Sequence, residues 1–201
     1  NGGKGDDTIT GASSAENLNG NDGDDIIISG GGGDIIEGGK GADVINLNIS
    51  SQVDTVKLQG TNQSSYNGDV ISNFEVGSND LIQMLTVRAR MDGSATSIFD
   101  SDTTIDDTTG IVIQGTDVVQ AASATLAQVT ANINVGTFDD GGSTDDRVYV
   151  AWDNGTNTYV GLIESDSNND GFTGDTLNLI CTLSGLSDCT TLTASNFFDF
   201  S

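Results

Sequence analysis

Hydrophobic positions follow two different rhythms along this chain. Over the first 46 residues single aliphatics recur every nine positions: Ile9, Leu18, Ile27, Ile36 and Ile45. Two residues before each stands an acid (Asp7, Glu16, Asp25, Asp34, Asp43), and before the acid a Gly-rich stretch. The blocks read GGKGDDTIT (2–10), GASSAENLN (11–19), GNDGDDIII (20–28), SGGGGDIIE (29–37) and GGKGADVIN (38–46). Glycine accepts positive φ at little cost, so the first half of a block predicts a turn. The second half predicts a very short strand with its aliphatic directed inward. A nine-residue unit cannot bury that residue alone, so the blocks stack. Alternate blocks then share a side: Asp7, Asp25 and Asp43 form one column, Glu16 and Asp34 the other.

After residue 46 the pattern loosens. Residues 44–58 alternate apolar and polar through Val44, Ile45, Leu47, Ile49, Val53, Val56 and Leu58, and predict the last stacked strands and a cover for their end. In DVISNFEVGSNDLI (69–82), Ile71, Phe74 and Ile82 are candidate core, and Asp69 and Asp80 cap turns or hold a cation. IVIQGTDVV (111–119) predicts a strand pair or a bent strand. One short helix is expected over 121–133, with Leu126, Val129 and Ile133 on one face among helix-favouring alanines. RVYVAW (147–152) and TYVGLIE (158–164) flank DNGTN as a hairpin, and LNLICTL (177–183) is a further strand.

Composition narrows the chemistry. The chain has 201 residues, with 30 acidic against 6 basic and a formal net charge of -24, which excludes a nucleic-acid binder and disfavours anionic lipid. No apolar run approaches a membrane span, so no membrane insertion is expected. There is no histidine, which removes His-dependent triads and zinc sites, and no proline, which leaves turns to Gly, Asn and Asp. So acidic a chain repels itself when compact unless counterions bind. Its β-branched content argues against disorder, so structural divalent cations are expected. Carboxylates stacked at the interstrand spacing of about 4.8 Å repel unless a hard cation lies between them. Calcium fits, because it takes 6–8 oxygens and turn carbonyls (those of Gly3, Gly5, Asp22, Gly23, Gly32 and Gly41) can complete the set, whereas magnesium gives up its waters reluctantly.

Further candidates lie in the second half. DSNNDG (166–171) begins like an EF-hand loop, with oxygen donors on Asp166, Asn168 and Asp170, but Leu177 stands where the closing Glu belongs. The clusters Asp100, Asp102, Asp106, Asp107 and Asp139, Asp140, Asp145, Asp146 read as solvated turns. Cys181 and Cys189 either form a disulfide, expected if the protein meets an oxidising compartment, or are small buried hydrophobes.

The blocks match the GGxGxDxUx nonapeptide, and the stretch 2–46 resembles the parallel β-roll of the repeats-in-toxin (RTX) family. That resemblance implies calcium between turns two blocks apart, at Asp7 with Asp25, Asp25 with Asp43, and Glu16 with Asp34: about three sites. The block at 11–19 departs from the pattern, with Gly11, Ala12, Ser13 and Ser14 in place of GGxG. Residues 69–82 are similar to the D-x-I…F-x-x-G…D-x-I segment that follows such repeats in the family. The terminus LTASNFFDFS, with Phe197, Phe198 and Phe200, resembles an uncleaved type I secretion tail or is an ordinary final strand. The expected fold is all-β: a calcium-binding β-roll over 1–50, then over 51–201 a β-sandwich-like unit with one short helix and the secretion-like tail. The chain opens at Asn1 in mid-pattern and is read as the C-terminal piece of a longer protein.

No GxSxG, P-loop, HExxH or Cys–His pair is present, so no catalytic role is expected. The expected function is that of a secreted calcium-binding structural or cell-surface protein (surface layer, adhesin or filament subunit) that folds on meeting extracellular calcium. The alternative is a calcium-triggered folding and export module attached to a secreted protease or lipase. Expected partners are calcium, further copies or a cell-surface assembly, and the type I secretion apparatus, at the bacterial cell surface or outside the cell.

Overall fold

The computed structural model describes residues 1–49, 51–58, 68–77, 80–84, 104–105, 111–113, 134–135, 147–164, 176–192 and 196–199. The chain divides into two compact units, one of residues 1–87 with 180–186 and 191–201, the other of 88–179 with 187–190.

In the first unit each block folds as a turn and a short strand: β1 (Gly3–Lys4), β2 (Thr8–Thr10), β3 (Asn17–Asp22), β4 (Ile26–Ile28), β5 (Ile35–Lys40) and β6 (Val44–Asn46). Three strands follow, β7 (Thr55–Leu58), β8 (Asp69–Ser72) and β9 (Leu81–Met84). Odd-numbered strands build one parallel sheet, β1-β3-β5-β7-β9, and even-numbered strands the other, β2-β4-β6-β8. Ile9 pairs Ile27 and Ile27 pairs Ile45 across one sheet; Leu18 pairs Ile36 across the other. The alternation of blocks between two sides is therefore realised as a parallel β-roll. Its core is one inward aliphatic per strand, and Ile27, Ile36, Ile45, Val56, Ile71 and Ile82 have no exposed surface. Burial of each such side chain contributes about 1.5–3 kcal/mol.

The roll does not stop at residue 50. Val56 continues the Leu18–Ile36 ladder and Ile82 follows it, while Ile71 extends Ile45. Two strands from the far end of the chain add the last coil. Cys181–Ser184 of β15 (Thr176–Ser184) pairs in parallel with β8, and β16 (Phe197–Asp199) pairs in parallel with β9. Leu183 and Phe197 thus take the inward positions beside Ile71 and Ile82, and both are buried. The second unit is an insertion into the sequence of the roll, so the expected boundary at 50/51 falls inside the roll. The hydrophobic end of the chain serves here as a roll strand.

On the outer face of the even-numbered sheet, Ile26, Val44 and Val70 align across β4, β6 and β8 and are 46%, 43% and 36% exposed.

The second unit contains β10 (Thr104–Ile105), β11 (Ile111–Ile113), β12 (Asn134–Val135), β13 (Arg147–Asp153) and β14 (Thr158–Glu164). β13 and β14 form the expected antiparallel hairpin, from Arg147 opposite Glu164 to Asp153 opposite Thr158. Asn154 closes its turn, with Oδ1 accepting the N–H groups of Thr156 at 3.0 Å and Asn157 at 2.9 Å. The rings of Trp152 and Tyr159 stack with centroids 5.6 Å apart. β11 pairs β13, and β10 pairs β12, both in parallel. The helix expected over 121–133 and the remainder of a sandwich lie outside the described residues, among which no α-helix occurs.

Candidate metal centre

The spacing acid–x–aliphatic fixes the geometry of the roll corners. A parallel ladder places equivalent residues of successive coils side by side, so an acid two positions before a buried aliphatic meets the backbone of the acid one coil away. The Asp25 Oδ1 atom accepts the Asp7 N–H at 2.7 Å, and Asp43 Oδ1 accepts the Asp25 N–H at 2.8 Å. On the other side Asp34 Oδ1 accepts the Glu16 N–H at 2.8 Å. Both columns run on beyond the nonapeptides. Asp69 Oδ1 accepts from Asp43 at 3.1 Å, Asp54 Oδ1 from Asp34 at 2.8 Å, and Asp80 Oδ1 from Asp54 at 3.0 Å. A second, exposed ladder runs in the opposite sense: Asp6 Oδ1 accepts the Asp24 N–H at 3.0 Å and Asp24 Oδ1 accepts the Ala42 N–H at 2.8 Å.

The second carboxylate oxygens carry the chemistry. Asp25, Asp34 and Asp43 are each 1% exposed, and the Oδ2 atom of each is buried with no hydrogen-bond partner. In the first column these oxygens lie over the glycine that opens their own block. A Cβ on Gly20 would collide with both Asp25 Oδ2 and the Gly38 carbonyl, and one on Gly38 with Asp43 Oδ2. The same crowding occurs at Gly2, from Asp7 Oδ2 and the Gly20 carbonyl. Carbonyls also line the corner: Gly23 and Gly41, at φ +144° and +129°, face the Gly5 and Gly23 carbonyls, where an L side chain is sterically excluded.

Buried carboxylates without a counter-charge are costly, and the shifts show it. Desolvation pushes the Asp34 and Asp43 carboxyls up, opposed by the N–H each accepts and reinforced by the neighbouring acid of the column. Desolvation likewise lifts Asp54 to about 6 and Asp69 to about 7. An unpartnered anionic oxygen beside carbonyl oxygens, with no nitrogen or sulfur donor, suits a hard cation such as calcium. Among the described residues no three Asp, Glu, Cys or His side chains converge on one point. An ion here would draw on one or two carboxylates, the rest of its shell being turn carbonyls and water.

The structure sorts the other expected ligands. Gly3 and Gly5 (φ +134° and +91°) form the first turn, and Gly32 (φ +111°) packs against the backbone of Ser14 and Ala15. Asp22 is turned outward: its carboxylate pairs with Lys40 Nζ at 2.8 Å, which holds its pKa below the usual range, and its carbonyl accepts the Gly5 N–H at 2.7 Å. Glu16 has both oxygens engaged within its own turn, by the Ala12 N–H at 2.7 Å and the Ser14 hydroxyl at 3.1 Å. Asp166, Asn168 and Asp170 lie outside the described residues. Cys181 and Cys189 are both buried and no disulfide joins them, so of the two expectations the disulfide is not the one realised. Cys181 is held in β15 in register with Asp69, and Cys189 donates its N–H to Asp153 Oδ2 at 3.1 Å in the 3-10 turn Cys189–Thr191. Burial pushes both thiols up. Sequence reasoning missed Asp54, whose signal was present: Asp54-Thr55-Val56 repeats the acid–x–aliphatic triplet outside the nine-residue period.

Two parallel sheets wound from short turn-and-strand units define the fold class as a parallel β-roll. The chain is similar to two solved subunits of the Azotobacter vinelandii mannuronan C5-epimerase. With AlgE6R3 it shares 20% identity at a TM-score of 0.47, over 98% of this chain and 80% of that one. With AlgE6R2 the values are 16% and 0.44, over 95% and 91%. No protein-family model matches the chain, and no curated protein matches it.

Proposed function

We propose that this chain is a calcium-binding β-roll of an extracellular structural or cell-surface protein, non-catalytic in itself, that folds when it meets calcium. The observation carrying this reading is the pair of buried, unpartnered Oδ2 atoms on Asp25 and Asp43, set against glycines that leave them room. A chain of net charge -24 resists compaction while those carboxylates are bare. Cations that bind only the stacked form lend their binding free energy to folding. Low calcium inside a cell would keep the chain loose for a type I exporter, and outside it would close the roll. The separate inserted unit gives the protein more folded mass than an export signal needs, which favours a building block such as a surface-layer, adhesin or filament subunit.

Sedimentation velocity in chelator and then in millimolar calcium tests this. The expected result is a slow, extended chain that becomes folded and then enters larger species. A compact monomer instead would support the alternative, an export module of a secreted protease or lipase. An unchanged sedimentation profile would remove calcium from the account.

A further inference from the structure

We infer that cations load on one side of the roll only: the corners of Asp7, Asp25 and Asp43 take them, and the corner of Glu16 is closed by the protein's own hydrogen bonds and takes none. The inference rests on the calcium reading above and reduces the ion count that five repeats would imply. It starts from the block at 11–19. There GASS replaces the Gly-rich turn, and Glu replaces Asp. The extra methylene lets the carboxylate reach back within its own turn, where Oε2 accepts the Ala12 N–H at 2.7 Å and Oε1 the Ser14 hydroxyl at 3.1 Å. The charge is then solvated by the protein, and Glu16 is half-buried rather than sealed like Asp25. The Ser29 carbonyl still crowds Gly11 as the Gly38 carbonyl crowds Gly20. The carboxylate oxygen beside it, however, is already taken.

The next block on that side is altered too. Ser29 stands where Gly2, Gly11, Gly20 and Gly38 open the other blocks. It is fully buried, at the position where glycine elsewhere leaves room for a carboxylate oxygen. Its hydroxyl accepts the Asn48 N–H at 3.0 Å and donates to Asp54 Oδ2 at 3.5 Å. Further along, both oxygens of Asp80 are occupied, by the Asp54 and Glu75 N–H groups. Asp34 Oδ2 stays unpartnered, but its block opens with Ser29 in place of the glycine that faces Asp25 Oδ2 and Asp43 Oδ2, and the carboxylate across the corner, Glu16, is already engaged. The first column has no such substitutes: Asp25 Oδ2 and Asp43 Oδ2 lack any donor, and every block on that side opens with glycine.

Calcium stoichiometry of the full chain, by isothermal titration and native mass spectrometry, tests the inference. Glu16→Gln is expected to bind as many calcium ions as the parent chain, and Asp25→Asn fewer. Loss of one ion in Glu16→Gln would overturn one-sided loading. If the parent chain binds no calcium at all, it is the calcium reading that falls, and the one-sided inference with it. Because Glu16→Gln removes a turn-closing carboxylate and could misfold, hydrogen exchange of the Ala12 amide in the calcium-loaded parent is a second readout. Slow exchange is expected, since Glu16 keeps its own turn; fast exchange would show the carboxylate turned to an ion and would overturn the inference.

Discussion

The nonapeptide coils and the coils that follow them share one hydrophobic ladder but close their corners differently. Within the first column the glycine-containing turns at 20–24 and 38–42 fold no donor back onto the second oxygen of the acid that follows. Asp25 and Asp43 are left with a buried bare oxygen. In the later coils longer connections supply that donor: Glu75 gives its N–H to Asp80 Oδ2 at 2.8 Å. The inward aliphatics therefore set the stacking, and the residues and length of the turn together decide whether the corner needs an ion or is completed by the protein's own donors.

Several changes would break or sharpen this contrast. The largest effect should come from chelation: far-UV circular dichroism should lose most β signal from the first unit, and restored calcium should recover it. Next come the ladders. Ile36→Ala and Ile82→Ala should each cost about 2–5 kcal/mol in denaturant unfolding followed in calcium, since both side chains are fully buried. Equal losses would confirm that the ladder is common to both kinds of coil. The corners should then separate. Asp25→Asn should weaken calcium binding about tenfold or more, as loss of a carboxylate ligand demands. Asp80→Asn should lower stability in calcium without changing the number of calcium ions bound, because its partners are two N–H groups.

Acidity offers a smaller effect of predictable sign. Asp54 and Asp69 titrate near 6 and near 7 in the ion-free fold, against an ordinary 3.8. The folded state then holds protons more tightly than the unfolded chain, so their contribution to stability is complete below about pH 4 and is lost as pH rises towards 7. In chelator, acidification from pH 7.5 to 4.5 should restore part of the far-UV β signal that chelation removes. The smallest effect should be that of Lys40→Ala. It removes an exposed ion pair with Asp22, on side chains 72% and 45% exposed, and should leave the melting temperature nearly unchanged.

Much of the roll was legible because its information is local. An acid, one residue, and a buried aliphatic recur every nine positions, and that triplet specifies strand, corner and column together. The DNGTN hairpin was legible for the same reason, as were Ile71, Phe74 and Ile82 as core. Asp54 escaped because it stands eleven residues after Asp43, out of phase, although its triplet is intact. The closing of Glu16 on Ala12 and Ser14 was hidden in the difference between Glu and Asp, which a pattern of acids does not separate. The two strands of the final coil were legible as strands, but their place in the roll was not. Leu183 pairs with Ile71 and Phe197 with Ile82 across more than a hundred residues, and parallel pairing at that range leaves no periodic mark in the sequence.

That distant coil gives synthesis an order. The strand segments Cys181–Ser184 and Phe197–Asp199 are the last strands of this stretch to be made, yet they cover β8 and β9, whose edges are otherwise open. A chain broken off within the inserted unit would present two bare parallel edges ending in Ile71 and Ile82, the kind of surface that recruits other strands. Intactness of the C-terminal end is thereby checked by folding itself: only a chain translated through Phe197 can finish its own roll.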